Sequence, residues 1–185
     1  MCASPIFSGA RSYGKAVRGT TAEKRRAAMK ALIVYFSKTG HTGQAANDIA
    51  RGLEAEGVEC DVRMAPQALA ADLRDYEIVI VGTPTYGHRR YKRPAAPVSE
   101  FIESLKSGDL EGKTTGAFTA FAGYGGERLV AALEGCLLGL GGKVVAPGPA
   151  VKAGAPLSLY KGPDASKDDV EKCEDFGKRV AAAAK

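Results

Sequence analysis

The sequence predicts a three-layer, open, doubly wound α/β domain on a five-stranded parallel sheet. Three observations predict it. Short unbroken apolar runs recur, such as ALIVYF (31–36) and EIVIVG (77–82). Segments with helical apolar periodicity follow them. Turns rich in glycine and hydroxyl residues stand where runs give way to helices. A parallel strand is buried on both faces, so it needs a continuous apolar run, and right-handed crossovers place helices on both sides of the sheet.

The first strand is ALIVYF. The helix after it spaces Ala45, Ala46, Ile49, Ala50 and Leu53 by threes and fours, which makes one apolar stripe. Ser37 or Thr42 can cap its start, and Gly57 follows its end as helix C-termini favour. VECDVRM (58–64) alternates, with Val58, Cys60, Val62 and Met64 on one face, the pattern of a half-exposed strand near a sheet edge. A short helical segment, ALAADLRDY, leads to the third strand, EIVIVG. The next helix starts around Pro97, a residue suited to a first turn, and turns Val98, Phe101, Ile102 and Leu105 inward.

KTTGAFTAF (113–121) is the fourth strand. Its helix carries Leu129, Val130, Leu133, Cys136, Leu137 and Leu140 and stops at Gly141-Gly142. KVVAPGPAV (143–151) is the fifth strand, and Pro147 and Pro149 confine its later half to an edge or a bulge. Ser166 caps the last helix, with Asp168 and Asp169 complementing the dipole of its first turn. Each of the five strands is thus expected to precede a helix.

The 185 residues suit one domain, expected over 31–185, preceded by a flexible basic arm over 1–30. The formal charge of +5 is uneven. Residues 1–30 hold seven Lys/Arg and one acid, leaving 19 basic and 20 acidic residues for the rest. The basic pI therefore belongs to the arm, which argues against a nucleic-acid-binding body. The arm lacks the apolar core of a secretory signal. A simple tail, or translation starting at Met29, is favoured over organelle targeting, and the expected location is cytoplasmic. No apolar run reaches the roughly 18 residues of a membrane span. Cysteines 2, 60, 136 and 173 form no metal-ligand spacing; Cys60, Cys136 and Cys173 read as buried free thiols in a reducing compartment.

Ligands of open parallel sheets bind at the carboxyl ends of strands. Three strand-to-helix loops therefore matter: SKTGHTG (37–43), TPTYGHRRYKR (83–93) and AGYGGE (122–127). The first lacks the Gly-Lys-Ser/Thr ending of an NTPase loop and the spacing of a dinucleotide fingerprint. Its hydroxyls, Ser37, Thr39 and Thr42, together with backbone N–H groups at a helix start, can surround a phosphate dianion without arginine or metal. Tyr86 and Tyr124 stand among glycines at strand ends, placed to stack on a planar ring. Together the three loops describe a site for a phosphorylated flat heterocycle. No nucleophile–base pair and no metal site is evident, and His41 and His88 lack partners at ligand spacing. Ser37 and Thr83 stand where a phospho-receiver domain needs acids.

SKTGHT, GTPTYG and AFAGYGGE, in that order, resemble the three FMN loops of flavodoxin-like proteins. The similarity is nearest to compact flavodoxin domains such as those within flavo-diiron proteins. The resemblance covers roughly 31–183 and implies strand order 2-1-3-4-5 with FMN as cofactor. It implies that Ser37, Thr39, Gly40 and Thr42, with the backbone of Lys38 and His41, hold the FMN phosphate. Pro84, Thr85, Tyr86 and Gly87 would line one side of the flavin ring, and Ala122, Gly123, Tyr124, Gly125 and Gly126 the other. The chain has no Trp and is not strongly acidic, unlike many small electron shuttles of this kind. His88, Arg89, Arg90, Lys92 and Arg93 form a basic run beside the expected ring edge, a landing site for an acidic redox partner protein or for the phosphates of NADPH. The expected function is electron carriage between redox partners. An NAD(P)H-dependent quinone or flavin reductase, and a flavin-free module binding another phosphate ligand or a protein, are the alternatives.

Overall fold

A computed structural model describes residues 29–85, 93–154 and 162–185. The arm expected over 1–30 lies outside the described residues up to residue 28. Six parallel strands form one sheet: β1 (Lys30–Tyr35), β2 (Glu59–Met64), β3 (Ile78–Pro84), β4 (Thr114–Phe121), β5 (Lys143–Val144) and β6 (Ala150–Lys152). The order is β2-β1-β3-β4-β5, with β6 also beside β4. The helices are α1 (His41–Ala55), α2 (Ala96–Ser104), α3 (Gly126–Gly139) and α4 (Lys167–Ala184).

The apolar runs work as a two-sided sheet requires. Leu32 and Val34 of β1, with Val79 and Val81 of β3, enter a core shared with α2 and α3. Their alternates Ala31, Ile33, Ile78 and Ile80 enter a second core shared with α1 and α4. Every one of these side chains is fully buried, so both faces are covered along the central strands.

Close backbone approach sets the α1–α4 layer. A Cβ on Gly52 would lie 2.0 Å from the Glu174 carbonyl oxygen, and one on Gly177 would lie 2.3 Å from that of Ile49. Only glycine lets the two helices meet so tightly. Arg51 bridges the same seam, 2.6 Å from Asp48 and 3.0 Å from Glu174. Burial pushes the Asp48 carboxyl above its ordinary range, against the opposing pull of Arg51.

The short helical segment expected between β2 and β3 is there as a 3-10 turn, Ala70–Asp75, after another at Ala65–Gln67. Side chains hold it: Asp72 Oδ2 accepts the Leu69 N–H at 3.1 Å, and Arg63 on β2 reaches Asp61, Asp72 and the Tyr76 hydroxyl at 2.8, 3.0 and 2.7 Å. The Tyr76 hydroxyl also donates to Asp61, which holds that carboxyl below its ordinary range. The fifth strand is split into β5 and β6. Between them the Gly148 N–H donates to Glu134 on α3 at 2.8 Å, and a Cβ there would lie 1.6 Å from the Ala117 carbonyl oxygen. The chain thus presses onto β4 without pairing regularly. Last, Cys136 is exposed rather than buried. Cys173 is buried and Cys60 half-buried, and burial pushes both thiols up to about 12.

The remaining elements follow their signals. Gly57 has φ 81, and Ser166 Oγ accepts the Asp169 N–H at 3.1 Å as the cap of α4. Among the described residues no helix is long and apolar enough to cross a membrane.

Candidate functional site

The strand order reverses between β1 and β3, and β4 lies beside β3. The register pairs Tyr35 with Gly82, Thr83 with Thr119 and Pro84 with Ala120. The three loops singled out in the sequence therefore leave adjacent strands at one edge of the sheet, the switch point where open α/β sheets bind ligands.

The first loop turns tightly. Ser37 Oγ accepts the Gly40 N–H at 3.0 Å, and Gly40 has φ 96, a left-handed conformation that glycine adopts freely. Gly40 is the N-cap of α1, where no side chain provides a cap and no acid stands in the first turn. At α4, by contrast, Ser166 caps and Asp168 and Asp169 follow. The N–H groups at the start of α1 have no intrahelical partner, and the helix dipole adds positive potential there. Ser37 and Thr39 are half-buried, Lys38 and Gly40 are exposed, and Thr42 is buried. A hydroxyl-lined cradle of N–H donors with no carboxylate of its own suits a phosphate.

Tyr35, the last residue of β1, packs over the start of α1. A Cβ on Gly43 would lie 3.1 Å from its ring. His41, 3% exposed, places Nδ1 3.3 Å from Gln44 Oε1 and 3.6 Å from Asp164 Oδ1. Asp164, in the segment preceding α4, is thus a neighbour of the first loop that the sequence did not reveal.

The second loop is anchored at its feet by buried threonines. The Thr83 hydroxyl accepts the Ala95 N–H at 2.8 Å, so one side chain ties the residue before the loop to the residue after it. Thr119 Oγ1 donates to the Thr83 carbonyl at 2.7 Å and lies 2.9 Å from Thr85 Oγ1. The Thr85 N–H donates to the Ala120 carbonyl at 3.0 Å. Pro84 and Thr85 are half-buried at the carboxyl end of β3. Tyr86 and Gly87, with His88, Arg89, Arg90 and Lys92 of the basic run, lie outside the described residues. Arg93 is exposed.

The third loop brings Ala122, Gly123, Tyr124 and Gly125 to the same edge, ahead of α3. Gly125 has φ 85 and is the N-cap of α3, again without a side-chain cap. Tyr124 is 58% exposed, and among the described residues a Cβ on Gly123 would meet nothing within 4 Å. Gly126 has a different reason to be glycine: a Cβ there would lie 2.5 Å from the Phe121 ring. It is buried and shapes the loop from behind. Among the described residues no cluster of His, Cys, Asp or Glu could hold a metal ion.

Known proteins share this fold. A family model described as Flavodoxin matches residues 33–176. An NAD(P)H dehydrogenase (quinone) of Azorhizobium caulinodans is 32% identical over 124 residues, covering 54% of this chain and 60% of that protein. The chain thus spans only about three fifths of the curated relatives it matches. Among solved structures, oxidised Flavodoxin 2 from Bacillus cereus superposes with a TM-score of 0.70 at 27% identity, covering 83% of this chain and 99% of that one. The rubredoxin oxygen:oxidoreductase of Desulfovibrio gigas has a TM-score of 0.69 at 22% identity, covering 84% of this chain and 36% of that one. That last likeness is one of fold.

Proposed function

Because the chain belongs to the flavodoxin family, we propose that it binds FMN noncovalently at the carboxyl edge of β1, β3 and β4 and moves electrons between redox partners. The observation that carries this reading is the convergence of an uncapped, acid-free helix start and two ring-side loops on three adjacent strands. The residues fit the group. Ser37, Thr39 and Thr42 offer hydroxyls, and the backbone of Lys38 and His41 would complete a phosphate cradle around Gly40, whose own N–H is held by Ser37 Oγ. Pro84 and Thr85, with Tyr86 and Gly87 beyond the described residues, would line one face of the ring, and Ala122 to Gly125 the other.

Bound FMN supplies the redox chemistry, taking up and releasing one or two electrons. The protein's part is binding and orientation. The dipole of α1 favours the phosphate charge, and the threonine anchors fix the feet of the second loop. Exposed Tyr124 leaves the ring side approachable. Arg89, Arg90, Lys92 and Arg93 form the landing site for an acidic partner or for NADPH, by electrostatic steering.

Purified protein should be yellow, or turn yellow with added FMN and quench the flavin's fluorescence one to one. Colourless protein that leaves FMN fluorescence unchanged would sink the reading and favour a flavin-free phosphate module. A second reading has a specific observation behind it: the curated relatives are named NAD(P)H dehydrogenase (quinone). Steady-state oxidation of NADH or NADPH with a quinone separates the two. Sustained turnover assigns a reductase, and reduction only by a partner protein assigns a carrier.

A further inference from the structure

Asp164 is firmly placed, and it is a carboxylate beside a cradle that suits an anion. Its backbone is held on both sides. The Gly154 N–H donates to the Pro163 carbonyl at 2.8 Å, and Ala165 packs against the core shared by α1 and α4. The next residue, Ser166, caps α4. Upstream, the Ala153 N–H donates to the Phe121 carbonyl at 3.0 Å, at the foot of the third loop. From this support Asp164 reaches the first loop, with Oδ1 3.6 Å from His41 Nδ1. The Asp164 side chain is 60% exposed and that of His41 only 3%.

A carboxylate near a bound phosphate repels it, so electrostatics alone gives no reason for an acid here. Its neighbour gives one. His41 Nδ1 faces two acceptor oxygens, Gln44 Oε1 at 3.3 Å and Asp164 Oδ1. A ring nitrogen so placed carries a proton, and the oxygens it faces set the orientation of the ring. His41 is the first residue of α1, where backbone N–H groups have no intrahelical partner. Gln44 belongs to the same helix and moves with it. Of these two acceptors, Asp164 alone belongs to another element. It therefore fixes the ring, and with it the first turn of α1, against the body of the fold.

We propose that Asp164 is a positioning residue for the phosphate end of the cofactor. It holds the His41 ring, and through it the N–H donors that open α1, where a phosphate can meet them. This rests on the FMN reading above and adds a specificity determinant to it. Asp164 acts through His41 and not on the cofactor, so its contribution exists only for a flavin that carries the phosphate. Positioning and simple electrostatics differ in sign. Removing a carboxylate near a dianion tightens binding, whereas removing the support of the cradle loosens it.

The test titrates the full chain, freed of flavin, with FMN and with riboflavin, which lacks the phosphate, and reads flavin fluorescence. Asp164→Ala should raise the Kd for FMN about fivefold, the upper end for a partly exposed pair, and leave that for riboflavin unchanged. Asp164→Asn keeps an acceptor oxygen and should return the FMN value to within about twofold of wild type. In a His41→Leu background, Asp164→Ala should add nothing further. An Asp164→Ala protein that binds FMN as well as wild type, or more tightly, overturns the proposal. So does a loss shared equally by riboflavin, an Asn variant no better than Ala, or an undiminished effect without His41. Any of these in a chain whose wild type binds FMN leaves the FMN reading standing; a wild type that binds neither flavin overturns both.

Discussion

Two threonines on β4 make opposite predictions from the same substitution. Thr119 is fully buried; its hydroxyl donates to the Thr83 carbonyl at 2.7 Å and touches the Thr85 hydroxyl at 2.9 Å. Thr115 is also fully buried, but its hydroxyl has no hydrogen-bond partner among the described residues. Valine preserves the shape and strand preference of threonine and removes only the hydroxyl. Thr119→Val leaves a buried carbonyl short of a donor and frees Thr85, which is half-buried and can turn to water. That outcome costs about 1–2 kcal/mol, the lower part of the range for a buried group losing its partner. Thr115→Val removes an unpaired buried hydroxyl and should stabilise by about 1 kcal/mol. Urea unfolding monitored by circular dichroism should therefore move the two midpoints in opposite directions. At this chain length, each kcal/mol is worth about 2–4 °C in melting temperature. Because Thr119 also steadies the foot of the second loop, Thr119→Val should raise the Kd for FMN in fluorescence titration, and Thr119→Ser should recover it. Thr115→Val should leave that Kd alone. If both substitutions shift stability with the same sign, the hydrogen-bond reasoning for β4 is refuted.

Gly40→Ala places a Cβ in open space but forces a left-handed φ of 96, so only backbone strain is added. The expected loss is about 1–2 kcal/mol, with weaker FMN binding by titration as the turn relaxes out of shape. Thiol labelling at neutral pH, read by mass spectrometry, should mark exposed Cys136 in the native protein. Buried Cys173, its thiol pushed up to about 12, should be marked only on unfolding. The Tyr76 hydroxyl bond chiefly, with Arg63 helping, lowers the folded-state pKa of Asp61 against a smaller opposing effect of burial. Its contribution is therefore present above the ordinary Asp range and fades as pH falls through the depressed value. Tyr76→Phe should flatten that part of the acid limb of urea stability measured against pH. An unchanged limb would show that the bond has no share in acid stability.

What the sequence makes legible at this site is local, and what it hides is tertiary. The turn SKTGHTG announces itself because glycine with φ 96, clustered hydroxyls and an acid-free helix start are properties of consecutive residues. The two-sided parallel sheet was legible for a similar reason, since unbroken apolar runs must be covered on both faces, whereas the strand order followed from the resemblance of the three loops. The supports of the site have no such signature. Thr83 and Thr119 read only as polar interruptions in apolar strands, and their meaning appears when the register of β3 and β4 sets them side by side. Asp164 is 123 positions from His41 and becomes its neighbour only because α4 packs on α1. The seam that permits this, Gly52 against Glu174 and Gly177 against Ile49, lies inside helical periodicity, where glycine reads as a flaw. Gly135 and Gly139 of α3 have the same look in sequence but open space in place of a neighbour. A mid-helix glycine thus carries information once its surroundings are known: at Gly52 and Gly177 a close backbone neighbour requires it, and at Gly135 no described neighbour does.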